Sequence, residues 1–492
     1  MRSRVAVPLL VLVTCLPSVA RADDPWIEVK SPNFIVVSNA GDGRARNVAW
    51  QFEQIRAAIQ VGWPWARVQL DRPVIVVAAK DENSMKLLVP GFWEKSSRDS
   101  RPTSVFGTGA AAHYITLRSD VRADDTVGVN PYVSSYWSYS ALTLNEAFER
   151  PLPLWFRNGL AELLSNSIVR DSEIQFGRAI PWNLAMLQQG RLRLSELVTL
   201  DSSSSYYTNG STRGRFDAQS WGVMHYMLFG LPDGPSRVNR LAELLLNGTS
   251  SAEAIQQVFG SVDALELAYL SYQKKPITQF VRLKVETNAS SKNFPVRTLN
   301  AAESAGVYAA VHATFRRPVE ARAAIAAAGA NRGAGTYDVE ALLLDREGKR
   351  DEARAAYAKA AELNSDSFYT HYRLATLIWT ANADADTRRR IETLLRRSVA
   401  LNSFYSPSHA FLADTIARGA TPADALPIAI RAASLDVTSA SARMTLARVL
   451  GRLGRRDEAI GHARASRAMA QTDDERGAAE ELIAFLTRQP QI

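Results

Sequence analysis

Hydrophobic and polar positions change their period along the chain. Trp26-Ile27-Glu28-Val29 and Phe34-Ile35-Val36-Val37 alternate or cluster as short strands do, and their closeness predicts a hairpin. Residues 45–61 switch to a helical period, with Ala49, Phe52, Ile55, Ala58 and Ile59 on one face. Residues 73–79 form an apolar run of strand length, and His113-Tyr114-Ile115-Thr116-Leu117 is another strand candidate. After Pro131 the pattern turns helical. It predicts helices over 134–148, 154–165, 218–229, 238–246 and 262–286, and a Ser-, Tyr- and Asn-rich loop over 202–211.

From about residue 300 the strand pattern ends and a repeat begins. Ala360-Ala361-Glu362-Leu363-Asn364, Val399-Ala400-Leu401-Asn402 and Ala433-Ser434-Leu435-Asp436 are similar unit ends. Gly348-Lys349-Arg350-Asp351-Glu352-Ala353 returns as Gly454-Arg455-Arg456-Asp457-Glu458-Ala459, an offset of 106 residues. That is near three periods of about 34, the tetratricopeptide length. The small-large-small pattern of a second repeat helix stands at Ala353, Tyr357 and Ala360, and again at Ala459, Ala463 and Ser466. Units are placed near 335–367, 368–405, 406–439 and 440–473, with a poorer one at 303–334 and a closing helix at 475–488. A helix pair cannot bury its apolar stripe alone, so such units stack, and the stack presents an extended concave face suited to protein or peptide segments.

Composition narrows the chemistry. The 492 residues are 46% hydrophobic and 22% charged, as in globular proteins. The formal charge is +8, but 48 arginines and 10 lysines are scattered among acids, so a nucleic-acid groove is not indicated. The densest run, Arg388 to Arg390, reads as a solvated helix face. The single Cys15 excludes an internal disulfide, a Cys-rich zinc site and an iron–sulfur cluster. Residues 1–22 read as a secretory signal: Arg2 and Arg4, a short apolar core at Val5 to Val13, then Ala20-Arg21-Ala22. That core is too short for a bilayer of ~30 Å, no later stretch of 18 apolar residues appears, and Cys15 sits in a weak lipobox with Thr14 before it. The expectation is an exported bacterial protein, periplasmic or secreted, with a lipoprotein as the lesser reading and no transmembrane segment.

Three stretches carry a family likeness. They are Ser31 to Gly41 before a helix containing Gln51-Phe52-Glu53; Leu152-Pro153-Leu154-Trp155-Phe156-Arg157-Asn158-Gly159-Leu160-Ala161-Glu162; and Ala218-Gln219-Ser220-Trp221 leading into His225-Tyr226. On these the segment 26–284 resembles the peptidase-MA-like family, the gluzincin zinc-hydrolase fold. The resemblance implies an α+β zincin-like N-terminal domain (a small sheet plus helices) over 23–290, followed by an all-α tetratricopeptide solenoid over 291–492.

Active members of that family carry H-E-x-x-H, whose histidines share one helical face, and a third ligand before the glycine of W-x-x-E-G-x-A-E. Counting back from Trp155 places these positions on Ser138, Tyr139, Leu142 and Asn158, none of which matches. No histidine among the six is followed by glutamate, and no two lie within five residues, so the motif is absent in every register. Serine, leucine and asparagine do not make a zinc site. The chain therefore reads as a non-catalytic pseudo-metallopeptidase with no metal and no cofactor. Its former cleft would be lined by Ser138, Tyr139, Leu142 and Asn158, with Tyr139, Trp155 and Glu162 as binding candidates. A rebuilt metal site from Glu146, Glu149, Glu162, His113 and His225 is the minor alternative. Gly41-Asp42-Gly43 and Gly107-Thr108-Gly109 read as turns. The function expected is binding of a protein or peptide partner through the repeats. The alternatives are a zinc metallopeptidase with an atypical site and a structural envelope assembly module.

Overall fold

The computed structural model describes residues 25–94, 101–121, 129–144, 151–170, 173–277, 279–285, 290–419 and 422–488. The expected signal at 1–22 with Cys15, and also Glu146 and Glu149, lie outside the described residues. The strands are β1 (Ile27–Lys30), β2 (Phe34–Ser38), β3 (Val74–Ala79), β4 (Ser104–Thr108), β5 (His113–Arg118), β6 (Ile168–Arg170), β7 (Glu173–Phe176), β8 (Val281–Lys284) and β9 (Val296–Thr298). Among them run α1 (Asp42–Gly62), α2 (Glu82–Leu88), α3 (Gly91–Glu94), α4 (Val133–Thr143), α5 (Leu154–Ser165), α6 (Pro181–Leu187), α7 (Leu194–Leu197), α8 (Ser205–Thr208), α9 (Gly210–His225), α10 (Gly234–Leu246), α11 (Ser251–Phe259) and α12 (Val262–Gln273).

The main sheet has the order β4-β5-β3-β2-β1-β9. β1 and β2 form the hairpin, with Ile27 opposite Ser38, and β2, β3 and β5 are parallel, with Val37 opposite Val77. β3 reads Val-Ile-Val-Val-Ala-Ala without a polar break because both faces of the sheet are covered. Val36, Val74, Val76 and Ile115 point into a core with Phe52, Ile55 and Ile59 of α1, Tyr136 of α4 and Leu160 of α5. Val37, Val77 and Val105 point the other way, against Met85 and Leu88 of α2. The edge strand β9 comes from beyond residue 290 yet pairs with β1, and Arg297 ties this edge to Glu28 and Glu303.

Expected elements differ in several places: the helix drawn over 134–148 ends at Thr143, with 145–148 outside the described residues. The helix drawn over 262–286 stops at Gln273, because Pro276 lacks an amide hydrogen and crowds the preceding turn. Val281–Lys284 instead becomes β8, the edge of a second, antiparallel sheet β6-β7-β8. The segment expected as a loop over 202–211 holds α8 and the start of α9, whose first turn is capped by Asn209 accepting from the Ser211 amide. The two glycine pairs lie at the start of α1 and in the β4–β5 hairpin.

The described residues from 301 to 488 form helices joined by short turns. The helices are α13 (Ala301–Thr314), α14 (Pro318–Ala327), α15 (Ala334–Arg346), α16 (Arg350–Glu362), α17 (Phe368–Ile378), α18 (Ala385–Leu401), α19 (Ser406–Ala417), α20 (Ala425–Leu435), α21 (Ala440–Arg452), α22 (Arg456–Met469) and α23 (Asp473–Arg488). They form five stacked helix pairs and a closing helix, successive pairs beginning 33 to 38 residues apart. The recurring glycines Gly348 and Gly454 end α15 and α21 with φ of 75° and 73°, a left-handed turn that closes the first helix of a pair. Ala353, Tyr357 and Ala360 are fully buried, as are Ala459 and Ala463, so the small residues are where the helices approach. Arg388 to Arg390 are exposed on α18. Among the described residues no helix is long and apolar enough to cross a membrane.

The two halves share a core. Val307, Tyr308 and Val311 of α13 and Phe315 just after it pack on the sheet face that carries Val37, Val77 and Val105, and the Trp26 ring meets Tyr308 edge-on at 5.6 Å. The solenoid then curves so that its 402–405 turn meets the loop at 68–73.

Candidate functional site

α5 packs closely on α9 because residue 159 is glycine: a Cβ there would stand 2.6 Å from the Ser220 carbonyl oxygen. α4 lies against α5 on another side. Between α4, α5, α6 and α9 is an open cleft of about 330 Å3, lined by Val133, Ser134, Trp137, Ser138, Glu162, Ser165, Trp182, Arg213 and Asp217.

One helix turn explains which residues of α4 face it. Ser134, Trp137 and Ser138 stand at i, i+3 and i+4, whereas Tyr139 is rotated by about 100° from Ser138. Tyr139 turns into the core, 5.4 Å from the Phe34 ring and 6.2 Å from Phe52, and burial pushes its phenol well above the usual value. Leu142 packs on the same core. Trp155 is fully buried, its indole N–H donating to Ser251 Oγ at 3.1 Å. Of the residues singled out from sequence, Ser138 and Glu162 therefore line the cleft and Asn158 backs it. Tyr139, Leu142 and Trp155 do not reach it. The gap-free count set the i, i+4 pair at Ser138 and Leu142, while the pair facing the cleft is Ser134 and Ser138.

The polar groups are linked. Arg213 Nε donates to both oxygens of Asp217, at 3.0 and 2.8 Å, and its guanidinium lies 3.8 Å from the Tyr207 ring centre. Asn158 Nδ2 donates to Asp217 Oδ1 at 2.8 Å, leaving Asn158 Oδ1 buried without a partner. Asn183 of α6 donates to Glu162 Oε2 at 2.9 Å. Glu162 is 9% exposed, and that burial pushes its carboxyl up to about 7, with Asp217 adding to the effect and Asn183 opposing it. Burial also raises Asp217 above the ordinary aspartate value, against the pull of Arg213. The Trp137 indole N–H is buried without a well-formed hydrogen bond. It lies close enough to Glu162 to favour the ionised form.

This donor set does not fit the zinc that the family likeness implies. The cleft offers two carboxylates, one already bound to a guanidinium, and serine hydroxyls, but neither the imidazole nor the thiolate that zinc sites combine with a carboxylate. His225 lies elsewhere, its Nε2 3.0 Å from the Gly177 carbonyl and its Nδ1 3.0 Å from the Tyr272 hydroxyl, and burial pushes it down to about 4. His113 sits in β5, beside Thr108 and Asp71. Among the described residues no three of His, Cys, Asp and Glu converge as a metal-holding group. Sequence reasoning missed Trp137, Trp182, Arg213 and Asp217. The legible signal was the i, i+4 spacing of Arg213 and Asp217 and a tryptophan directly after the helix-starting Pro181.

A larger opening of about 550 Å3 lies between the halves. Asp71, Arg72 and Ala110 form one wall; Tyr369, Phe404, Tyr405, Ser406, Pro407, Leu435, Asp436 and Thr438 form the other. Its aromatic side is preassembled: Phe368 meets Tyr405 at 4.8 Å and Tyr372 meets Tyr405 at 5.3 Å. Phe404 is 37% exposed at its mouth.

No protein-family model and no curated protein matches the chain. Solved structures to which it is similar include two described as TPR proteins. YrrB, described as a TPR protein with an unusual peptide-binding site, shows 15% identity over 37% of this chain and 92% of its own, with a TM-score of 0.31. A thermophilic TPR protein of Thermus thermophilus shows 15% identity over 37% and 99%, with a TM-score of 0.27. MamA of Desulfovibrio magneticus shows 14% identity over 31% and 93%, with a TM-score of 0.24.

Proposed function

We propose that this is an exported, non-catalytic binding protein that takes a protein or peptide partner at its helical repeats. In this reading the N-terminal domain is a zincin-like framework without its metal. The observation that carries the reading is the opening between the halves, where Tyr369, Phe404, Tyr405 and Leu435 stand beside Asp71, Arg72 and Asp436. Aromatic side chains held by one another give contact area at little conformational cost, and the flanking charges give orientation. The facing sheet already covers the solenoid near α13, so the part left for a partner is the stretch from α17 to the turn after α20.

The test is selection of peptides from a random displayed library on the full chain, followed by titration against F404D and Y369A. Selected peptides that lose about tenfold or more in affinity on these changes support the reading. Peptides that bind both variants as well as the parent protein refute it. Stoichiometric zinc, with peptide hydrolysis lost to a chelator, would replace this function with that of an atypical metallopeptidase.

A further inference from the structure

The N-terminal cleft holds features that the repeat-binding function does not use. Trp182 is 44% exposed, an unusual setting for so large an apolar side chain. Its position is fixed, because the next residue, Asn183, is buried and bonded to Glu162. The indole of Trp137 forms another wall, with an N–H that has no well-formed partner. Ser134, Ser138 and Ser165 add hydroxyl oxygens that can accept, their protons being donated to the carbonyls of Ser104, Ser134 and Glu162. The volume of about 330 Å3 lies within the ~300–1,000 Å3 of small-molecule sites.

The charges select the ligand class. Arg213 and Asp217 neutralise each other within hydrogen-bond distance. Glu162 is desolvated and keeps its proton up to near neutrality, so it can donate as well as accept. A cationic ligand would face Arg213, and an anionic one would face Asp217. A wholly apolar ligand would take the Arg213–Asp217 pair and the Glu162 carboxyl out of water without adding a hydrogen bond to either. A neutral ring with one apolar C–H face and a rim of hydroxyls meets every group: its face lies on an indole and its hydroxyls exchange hydrogen bonds with the carboxyl, the guanidinium and the serines.

We propose that the cleft between α4, α5, α6 and α9 is a carbohydrate-binding site, with Trp182 as the stacking platform, Trp137 as an apolar wall and Ser138, Glu162 and Arg213 as the hydrogen-bonding groups. This site is separate from the repeats and does not rest on the function proposed for them.

The test is isothermal titration of the full chain with cellotetraose, maltotetraose and chitotetraose, each in turn. At least one is expected to bind at one site per chain. Trp182→Ala is expected to weaken it by about tenfold or more, the loss of one stacked aromatic contact. Ser138→Trp, which fills the cleft from α4, is expected to abolish it, and Phe404→Ala to leave it unchanged. Both cleft variants change side chains with solvent access, and an unchanged melting temperature confirms their folding. No heat with any of the three sugars at millimolar concentration overturns the proposal, as does binding that Trp182→Ala and Ser138→Trp leave intact. Capture of oligolysine at the cleft with the sugars silent also overturns it and assigns the site to a cation.

Discussion

The side-chain amide of Asn402, in the turn before α19, donates to the backbone carbonyl of Asp71 at 2.7 Å, joining positions 331 residues apart. Asn402 also accepts from the Phe404 amide through its side-chain oxygen, so one residue shapes the turn and fixes it to the N-terminal domain. The opening between the halves lies beside this bond, with Arg72 on one wall and Phe404 on the other. Removing the amide with Asn402→Ala is expected to cost about 1 kcal/mol, the net worth of a hydrogen bond between partly exposed groups. The effect is local: amide exchange in 68–73 and 402–406 should quicken while that of β3 stays unchanged. Equal quickening in β3 would show that the bond supports the whole fold rather than this junction.

A stronger coupling runs through α13. Val311 is fully buried against the sheet face carrying Val37, Val77 and Val105. Val311→Asp places a carboxylate without a partner in that layer and is expected to destabilise the N-terminal domain by about 3 kcal/mol or more. A chain ended at residue 300 leaves the same face bare and should bind hydrophobic dyes or aggregate. A monomeric, cooperatively melting fragment 25–300 would show that α13 is dispensable.

That shared layer also marks the limit of what the sequence shows. The periodicity of β1, β2, β3, β5, α1 and α5 was readable because each buries a face against a neighbour close in the chain or along a long apolar run. β8 was not, since its Val-Arg-Leu-Lys follows a strong helical pattern and only Pro276 separates the two. The repeat glycines were legible because Gly348 and Gly454 occupy the same strained turn. The cleft was partly legible: Glu162 and Asn158 follow from the α5 stretch. Its second wall depends on α6 and α9, which reach α5 from 20 to 60 residues away through contacts that no local pattern encodes. Which face of α4 meets the cleft was not legible either, because it depends on how α4 packs on α5, and the contacts that set this lie across the chain rather than within one local pattern.

Glycine substitutions separate turn from helix within the repeats. Gly454 sits at φ 73°, so Gly454→Ala is expected to destabilise by about 1 kcal/mol. Gly461 lies inside α22 with nothing within 4 Å of where a Cβ would stand, so Gly461→Ala should stabilise by about 0.5–1 kcal/mol. Thermal melting of the two variants side by side checks the sign of each. A stabilised Gly454→Ala would contradict the turn assignment.

Two buried groups give the N-terminal domain opposing pH limbs. Glu162 is raised from 4.5 to about 7 in the folded chain, mainly by burial. Between those values the native state keeps a proton that the unfolded chain releases, so stability from this group falls as pH rises through about 4.5 to 7. His225 is lowered from 6.5 to about 4, again mainly by burial. Between those values the unfolded chain binds a proton that the native state refuses, so stability from this group is lost as pH falls through that window. Asp338 in the solenoid, raised to about 6 by burial, acts with the sign of Glu162, so a difference between variant and parent is the clean measurement. Glu162→Gln keeps the acceptor for Asn183 and removes the titration. It should match the parent near pH 4 and exceed it by about 2 kcal/mol at pH 8, where the parent buries a charge. His225→Gln should destabilise at pH 7 by about 1–3 kcal/mol, because the Gly177 carbonyl and the Tyr272 hydroxyl lose a fitted partner, and the penalty should shrink toward pH 4. Urea unfolding from pH 4 to 8 reads both, and a pH-independent difference for Glu162→Gln would mean that its carboxyl is ionised and solvated in the native protein.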